Sequence, residues 1–194
     1  MQASYTAEPD NAVLFTAHTL YRIGSEGMEL KNEVTNNSGL ETIARVGQSF
    51  RLPAAFDTLT WYGKGPWETY ADRKDAALIG LYTSSVAEQH VPFAVPCECG
   101  GHEDTRFAAL SDGTHTVQIV GSDDFHFSAL PYSIAEYRKA TYEEELPEQT
   151  TGTWLILDVA HAGLGGDTGW TKNIHPEYRV CKGRYSYTFR FHFA

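Results

Sequence analysis

Residues 185–193 constrain the fold more than any other stretch. Tyr185, Tyr187, Phe189, Phe191 and Phe193 alternate with Ser186, Thr188, Arg190 and His192. A period of two puts every ring on one face of an extended chain and every polar group on the other. Such a strand must lay its aromatic face on a core. Residues 154–160 are apolar on both faces apart from Asp158, which predicts a strand between two layers. Residues 13–18, 28–35 and 44–52 alternate more loosely and read as further strands, with Pro53 ending the last. Asn36-Asn37-Ser38-Gly39 reads as a turn.

Residues 107–110, 114–120 and 125–130 read as three short strands. Turns are expected at Ser111-Asp112-Gly113 and at Gly121-Ser122-Asp123-Asp124. Ser133 and Glu136 have capping-box spacing, so one short helix is expected over 134–140. Residues 83–96 are expected to be extended, because Pro92 leaves little room for a helix. Glu143-Glu144-Glu145 reads as a solvated acidic patch. No internal repeat or linker-like shift in composition divides the chain. The expectation is one all-β domain over 1–194, an antiparallel sandwich.

A chain of 194 residues buries about 70% of its unfolded surface, so it needs no disulfide or metal to hold it. A formal net charge of -10 opposes binding to nucleic acid or an anionic membrane. No apolar run approaches the roughly 20 residues of a membrane span. The start of the chain lacks a basic segment followed by an apolar one, and three cysteines are no disulfide framework. A cytoplasmic setting is expected.

Two stretches invite a functional reading. Residues 162–170 hold four glycines and end in Trp170. Glycine reaches positive φ without steric cost, so this is a tight, shaped loop between two strands. Trp170 either plugs the end of the sandwich or offers a rigid ring to the face of a sugar. Residues 61–73 carry two Trp, two Tyr, two Gly and a Pro, which reads as a packed loop, with Asp72 beside Arg73 as a local ion pair. Cys97, Cys99 and His102 have spacing that contributes to some metal sites, but no paired second half completes four ligands. No metal and no cofactor are expected. Glu98 and Arg106 either position a polar ligand or tie two strands. No nucleophile elbow and no phosphate-binding loop is present.

The motifs carry more. Trp61-Tyr62-Gly63, Gly65-Pro66, Glu68, Tyr70 and Asp72-Arg73 resemble the "WYGxGPxExYxDR" signature of lac-type β-galactosidases of glycoside hydrolase family two. Four further stretches follow in the family's order. They are Val91-Pro92-Phe93 with Pro96, Glu98, Gly100 and Arg106; Phe127-Ser128-Ala129-Leu130; Leu164-Gly165-Gly166-Asp167 with Trp170; and His175-Pro176-Glu177-Tyr178. Together they run from about residue 21 to 193 and match the C-terminal, small-chain (fifth) domain. The resemblance implies a supersandwich, the architecture shared with galactose mutarotases. It implies a domain that packs on a catalytic TIM barrel, with Trp170 stacking on bound galactoside and Asp167 and Gly169 as further substrate-binding residues of its loop. The family's two catalytic glutamates lie on the barrel, so this chain is expected to carry no catalytic residue and to be inactive alone. Glu98 and Arg106 would be supporting residues.

The chain departs from the pattern at three places. Cys99 stands where the family has Asn, Gly169 replaces Ser, and Tyr142-Glu143-Glu144-Glu145 takes the place of a His-rich segment. The family domain also has strands upstream, so the chain reads as a C-terminal fragment of a longer enzyme. An exposed sheet edge and a homo-oligomer would follow. Two other readings stand beside this one. One is a stand-alone carbohydrate-binding module. The other is a mutarotase-like aldose epimerase using His115 or His126 with Glu98 as acid and base.

Overall fold

The computed structural model describes residues 2–7, 12–148, 150–165, 167 and 173–194. Among them are ten strands: β1 (Gln2–Ala7), β2 (Ala12–Gly24), β3 (Gly27–Asn36), β4 (Arg45–Leu52), β5 (Thr58–Gly65), β6 (Leu78–Ser85), β7 (Gly101–Ser111), β8 (Thr116–Leu130), β9 (Thr153–His161) and β10 (Arg184–Phe193). The single α-helix among the described residues, α1 (Ile134–Lys139), follows β8. Every strand pairing is antiparallel. The fold is an all-β sandwich, as the alternation and turn chemistry predict. No helix among the described residues is long and apolar enough to cross a membrane.

β8 organises the sheet. One edge of it pairs with β7 along most of its length. On the other edge its first half pairs with β10 and its second half with β9. The sheet therefore forks. One branch runs β10–β3–β2–β1 and the other β9–β4, while β7 leads on to β5 and β6. The branches face each other: Phe50 of β4 meets Phe191 of β10 edge-on, ring centroids 5.1 Å apart. Leu30, Leu59, Trp61, Phe127, Leu157 and Phe189 fill the space between and are at most 2% exposed.

The aromatic strand behaves as its period requires up to its last residue. Tyr185, Tyr187, Phe189 and Phe191 are buried, but Phe193 is half exposed where the strand leaves the core. β9 lies between β4 and β8, and its central residues are buried on both faces. α1 begins at a complete capping box, with Ser133 Oγ accepting from the Glu136 amide at 3.1 Å and the Glu136 carboxylate accepting from the Ser133 amide at 2.6 Å.

Three local expectations need correction. Trp61-Tyr62-Gly63-Lys64-Gly65 is not loop but the body of β5, paired with β6 throughout and with β7 as far as Tyr62. Its glycines serve close approach rather than turning. A Cβ on Gly63 would sit 2.9 Å from Cα of Thr105, and one on Gly65 would enter the Tyr82 ring. Residues 121–124 do not end a strand: β8 bends there as it changes partner, which brings Phe125 and Phe127 inward. Residues 83–96 are not extended throughout, because Ser85 and Glu88 cap a 3₁₀ turn at Ala87–Gln89.

Replacing Phe127, which has no exposed surface, with Ala is expected to cost about 3–5 kcal/mol. Gly63→Ala, which overpacks against the β7 backbone, is expected to cost about 1–3 kcal/mol. Denaturant unfolding of both variants, with midpoints compared to the parent, checks the pair.

Candidate functional site

After β5 the chain turns through Pro66 and runs along the end of the sandwich. Trp67, Glu68, Asp72, Arg73, Lys74 and Tyr178 line a surface cleft there. Trp67 is 57% exposed, an unusual setting for so large a ring. Glu68 accepts the Gly100 amide at 2.8 Å and pairs with Arg73, which ties the cleft wall to the segment before β7. Asp72 accepts the Leu164 amide at 3.0 Å, so it stitches down the base of the glycine-rich segment. Gly163 passes close enough that a Cβ would lie 2.6 Å from the Asp72 carboxyl, and its amide donates to the Tyr178 carbonyl at 3.0 Å. Asp167 is exposed and faces His175 at 2.6 Å. The hydrogen bond and charge of Asp167 hold the His175 pKa above its ordinary value. Gly169 and Trp170 lie outside the described residues.

Behind the cleft is a buried polar cluster. Its centre is Asp158, whose side chain is 1% exposed in mid-β9. A buried carboxylate is tolerable only with a charged partner and satisfied lone pairs. Arg45, at the start of β4, answers it with Nη2 at 2.5 Å and Nε at 3.1 and 3.2 Å. The approach is possible because Gly47 has no side chain: a Cβ there would lie 2.8 Å from Cα of Asp158. Arg45 Nη1 reaches Glu98 Oε2 at 2.9 Å. Burial weakens the Arg45 cation, but Asp158 and Glu98 outweigh it and raise its pKa.

Two histidines complete the cluster. His126 of β8 lies across from Asp158 in the strand register, and His161 ends β9. Their rings stack with centroids 4.5 Å apart. The Tyr70 ring lies 5.4 Å from one and 5.3 Å from the other. His126 Nδ1 meets Glu103 Oε1 at 2.8 Å, and His161 Nδ1 meets the Ala162 carbonyl at 2.7 Å. His161 Nε2 stands 3.6 Å from Glu98 Oε1. Burial opposes charge on both Glu98 and His161, but their mutual attraction wins: the Glu98 pKa is lowered and the His161 pKa raised.

The sequence-predicted site residues separate. Glu98 pairs with Arg45, whereas Arg106 lies over the Tyr62 ring, donates to the Asp104 carbonyl at 2.6 Å and sits 3.4 Å from Asp124. His115 is at a hairpin tip with Asp112, far from the cluster, while His126 and Glu98 are within it. Cys97, Cys99 and His102 diverge: Cys97 is exposed, Cys99 packs under Tyr137, and His102 is buried between the Lys64 carbonyl and Gln89. Arg45, Asp158 and His161 are the cluster members that sequence reasoning missed. Asp158, the one charge in an apolar run, was the available signal, since a charge there demands a partner.

Asp158→Ala leaves Arg45 with Glu98 alone and is expected to cost about 3 kcal/mol, the low end for a broken buried pair, read by chemical unfolding. His102 gives an acid signature. Burial pushes its pKa from 6.5 down to about 3, so the folded chain holds it neutral while the unfolded chain protonates. Stability is therefore lost as pH falls below 6.5, at up to about 1.4 kcal/mol per pH unit until about pH 3. His102→Gln should flatten that part of the stability–pH profile.

Comparison with known proteins agrees with the motifs. The family model described as "Beta galactosidase small chain" matches residues 1–191. A β-galactosidase of Priestia megaterium is 35% identical over 91% of this chain and 17% of its own length. One from Vibrio cholerae is 38% identical over 84% of this chain and 15% of its own. BgaC of Bifidobacterium adolescentis, also a β-galactosidase, is 32% identical over 93% and 18%. The chain thus spans less than a fifth of the length of these relatives. A forked antiparallel sandwich, an Asp72-anchored glycine-rich segment and a match over nearly every residue place this chain in the β-galactosidase small-chain family.

Proposed function

We propose that the chain is the non-catalytic C-terminal part of a β-galactosidase, an enzyme that releases terminal non-reducing β-D-galactose. The observation that carries this is the family match over residues 1–191 by a chain that spans under a fifth of its relatives. In this reading the sandwich packs on a catalytic barrel supplied by the rest of the enzyme. Retaining hydrolysis needs two carboxyl groups across one glycosidic bond, and the barrel holds them. Trp170 stacks on the galactoside, because a flat ring matches the apolar face of a sugar at small entropic cost. Asp167 and Gly169 shape its loop. Asp72 matters here as the anchor of that loop's base.

A sugar site belonging to this domain alone is the second reading. The cleft favours it, since it sets the exposed Trp67 beside carboxylates and cations that can bond hydroxyls. An epimerase built on Glu98 and His126 is the weakest: the groups are close, but the His126 side chain is 3% exposed and out of a substrate's reach.

Galactose titration followed by tryptophan fluorescence separates these readings, with Trp170→Ala and Trp67→Ala beside the parent chain. The first reading expects no saturable change in the isolated chain, and a raised KM for Trp170→Ala in the intact enzyme. Saturable quenching lost in Trp67→Ala would move the site to the cleft. Mutarotation of fresh α-galactose at the buffer rate disposes of the epimerase.

A further inference from the structure

We propose that Glu98, His126 and His161 form a binding site for a divalent transition-metal ion of the zinc class. Glu98 Oε1, His126 Nε2 and His161 Nε2 would be the ligand atoms. Each residue offers one ligand atom, and these atoms lie within 4.8 Å of one another. The site is independent of the galactoside reading.

The tautomers carry the argument. A ligating imidazole presents a bare nitrogen to the ion and donates its other N–H to a carboxylate or a carbonyl. Both histidines are held this way. His126 Nδ1 meets the Glu103 carboxylate at 2.8 Å, and His161 Nδ1 meets the Ala162 carbonyl at 2.7 Å. Neither acceptor can donate, so each Nδ1 carries a proton and each Nε2 is the atom left to face an ion, the proton that Glu98 favours on His161 Nε2 leaving as the ion binds. His126 Nε2 is buried without a hydrogen-bond partner, and so is Glu98 Oε1. Orphaned polar atoms in a protein interior demand an explanation. Here two of them converge with a third ligand atom, His161 Nε2, which stands 3.6 Å from Glu98 Oε1.

The surroundings fit an ion as well. Arg45 takes the other oxygen of Glu98 at 2.9 Å, which orients the carboxylate and leaves Oε1 for the metal. Four carboxylates, Glu98, Glu103, Asp104 and Asp158, face two cationic side chains, Arg45 and Lys74. With neutral histidines that leaves two negative charges, the complement of a divalent cation. Gly101 keeps room at the ligand face, since a Cβ there would lie 2.8 Å from His126 Nε2. A tetrahedral ion with arms of about 2.0–2.1 Å sets ligand atoms about 3.3 Å apart, so the three groups, now within 4.8 Å of one another, would draw in around the ion. Two imidazoles and one carboxylate favour zinc-like ions over magnesium or calcium, which prefer all-oxygen ligands. His161 also lines a surface cleft beside Ala71 and Tyr178, which supplies an entry path. A fourth position stays open to water.

Co²⁺ titration is the test, run on the Cys97→Ser/Cys181→Ser chain because those two thiols are exposed. The expected result is a saturable visible absorption band of low-symmetry Co²⁺ at one ion per chain, displaced by Zn²⁺. His126→Ala and His161→Ala should each abolish it. Glu103→Gln, which touches no metal, should weaken binding by about 10–100-fold through the His126 tautomer. Histidine NMR on the unmutated chain covers the case in which a variant fails to fold. There Zn²⁺ must shift the ring resonances of His126 and His161 and leave those of His18 and His192 in place. No saturable band, a band that survives loss of either histidine, or Zn²⁺ shifts confined to other histidines would overturn the site.

Discussion

The contact between Arg45 and Asp158 holds one end of the molecule together. Asp158 is sealed inside β9, where an unanswered carboxylate would cost several kcal/mol. Arg45 grips it from β4 and reaches on to Glu98 in the segment before β7. One guanidinium therefore joins two strands and a loop. Its planar fork suits this task, because it can satisfy two carboxylates at once while remaining charged. Glu98 in turn holds His161, and His161 stacks on His126. The charge balance at this end traces back to that pair, while Glu103 and the Ala162 carbonyl set the histidine tautomers.

The fork at β8 is what makes the pair possible. Had β8 kept one neighbour along its whole edge, β9 and β10 would have had to lie in one layer. Exchanging partners past Gly121 lets β10 carry one face of the sandwich and β9 the other. The bend exposes 122–124 but turns Phe125 and Phe127 into the core. Glycines mark the tightest approaches: Gly63 against Thr105, Gly47 against Asp158 and Gly163 against Asp72. In each the missing Cβ lets backbone or carboxylate come closer than any side chain would permit.

Cleft and cluster are two sides of one wall. Tyr70 packs its ring on the two histidines while its hydroxyl accepts the Gly101 amide at 3.3 Å. Two residues on, Asp72 accepts the Leu164 amide and anchors the base of the glycine-rich segment. The buried Tyr70 and the anchoring Asp72 thus belong to one short stretch of chain, which joins the cluster to Leu164. The signature residues Glu68, Tyr70, Asp72 and Arg73 have a physical reason for their spacing: they alternate between wall, interior and loop base.

Much of the fold was legible from local pattern. The period of two in 185–193 announced β10, the apolar run around Asp158 announced a strand between layers, and Ser133 with Glu136 announced the helix. Motif order named the family. These signals are local because alternation, capping and turn chemistry act between residues a few positions apart. Glycines misled where their use was not local: Gly63 and Gly65 looked like loop residues until β7 and Tyr82 were seen against them. The site was the least legible part. Arg45 and Asp158 are 113 positions apart, and His161 meets Glu98 only because β9 folds back across β8. The sequence by itself determined most of the segments that extend, the one capped helix, and that a lone carboxylate, Asp158, sits in an apolar run. Only the tertiary structure decided which cation answers it, because a buried charge takes whichever partner strand pairing brings within reach.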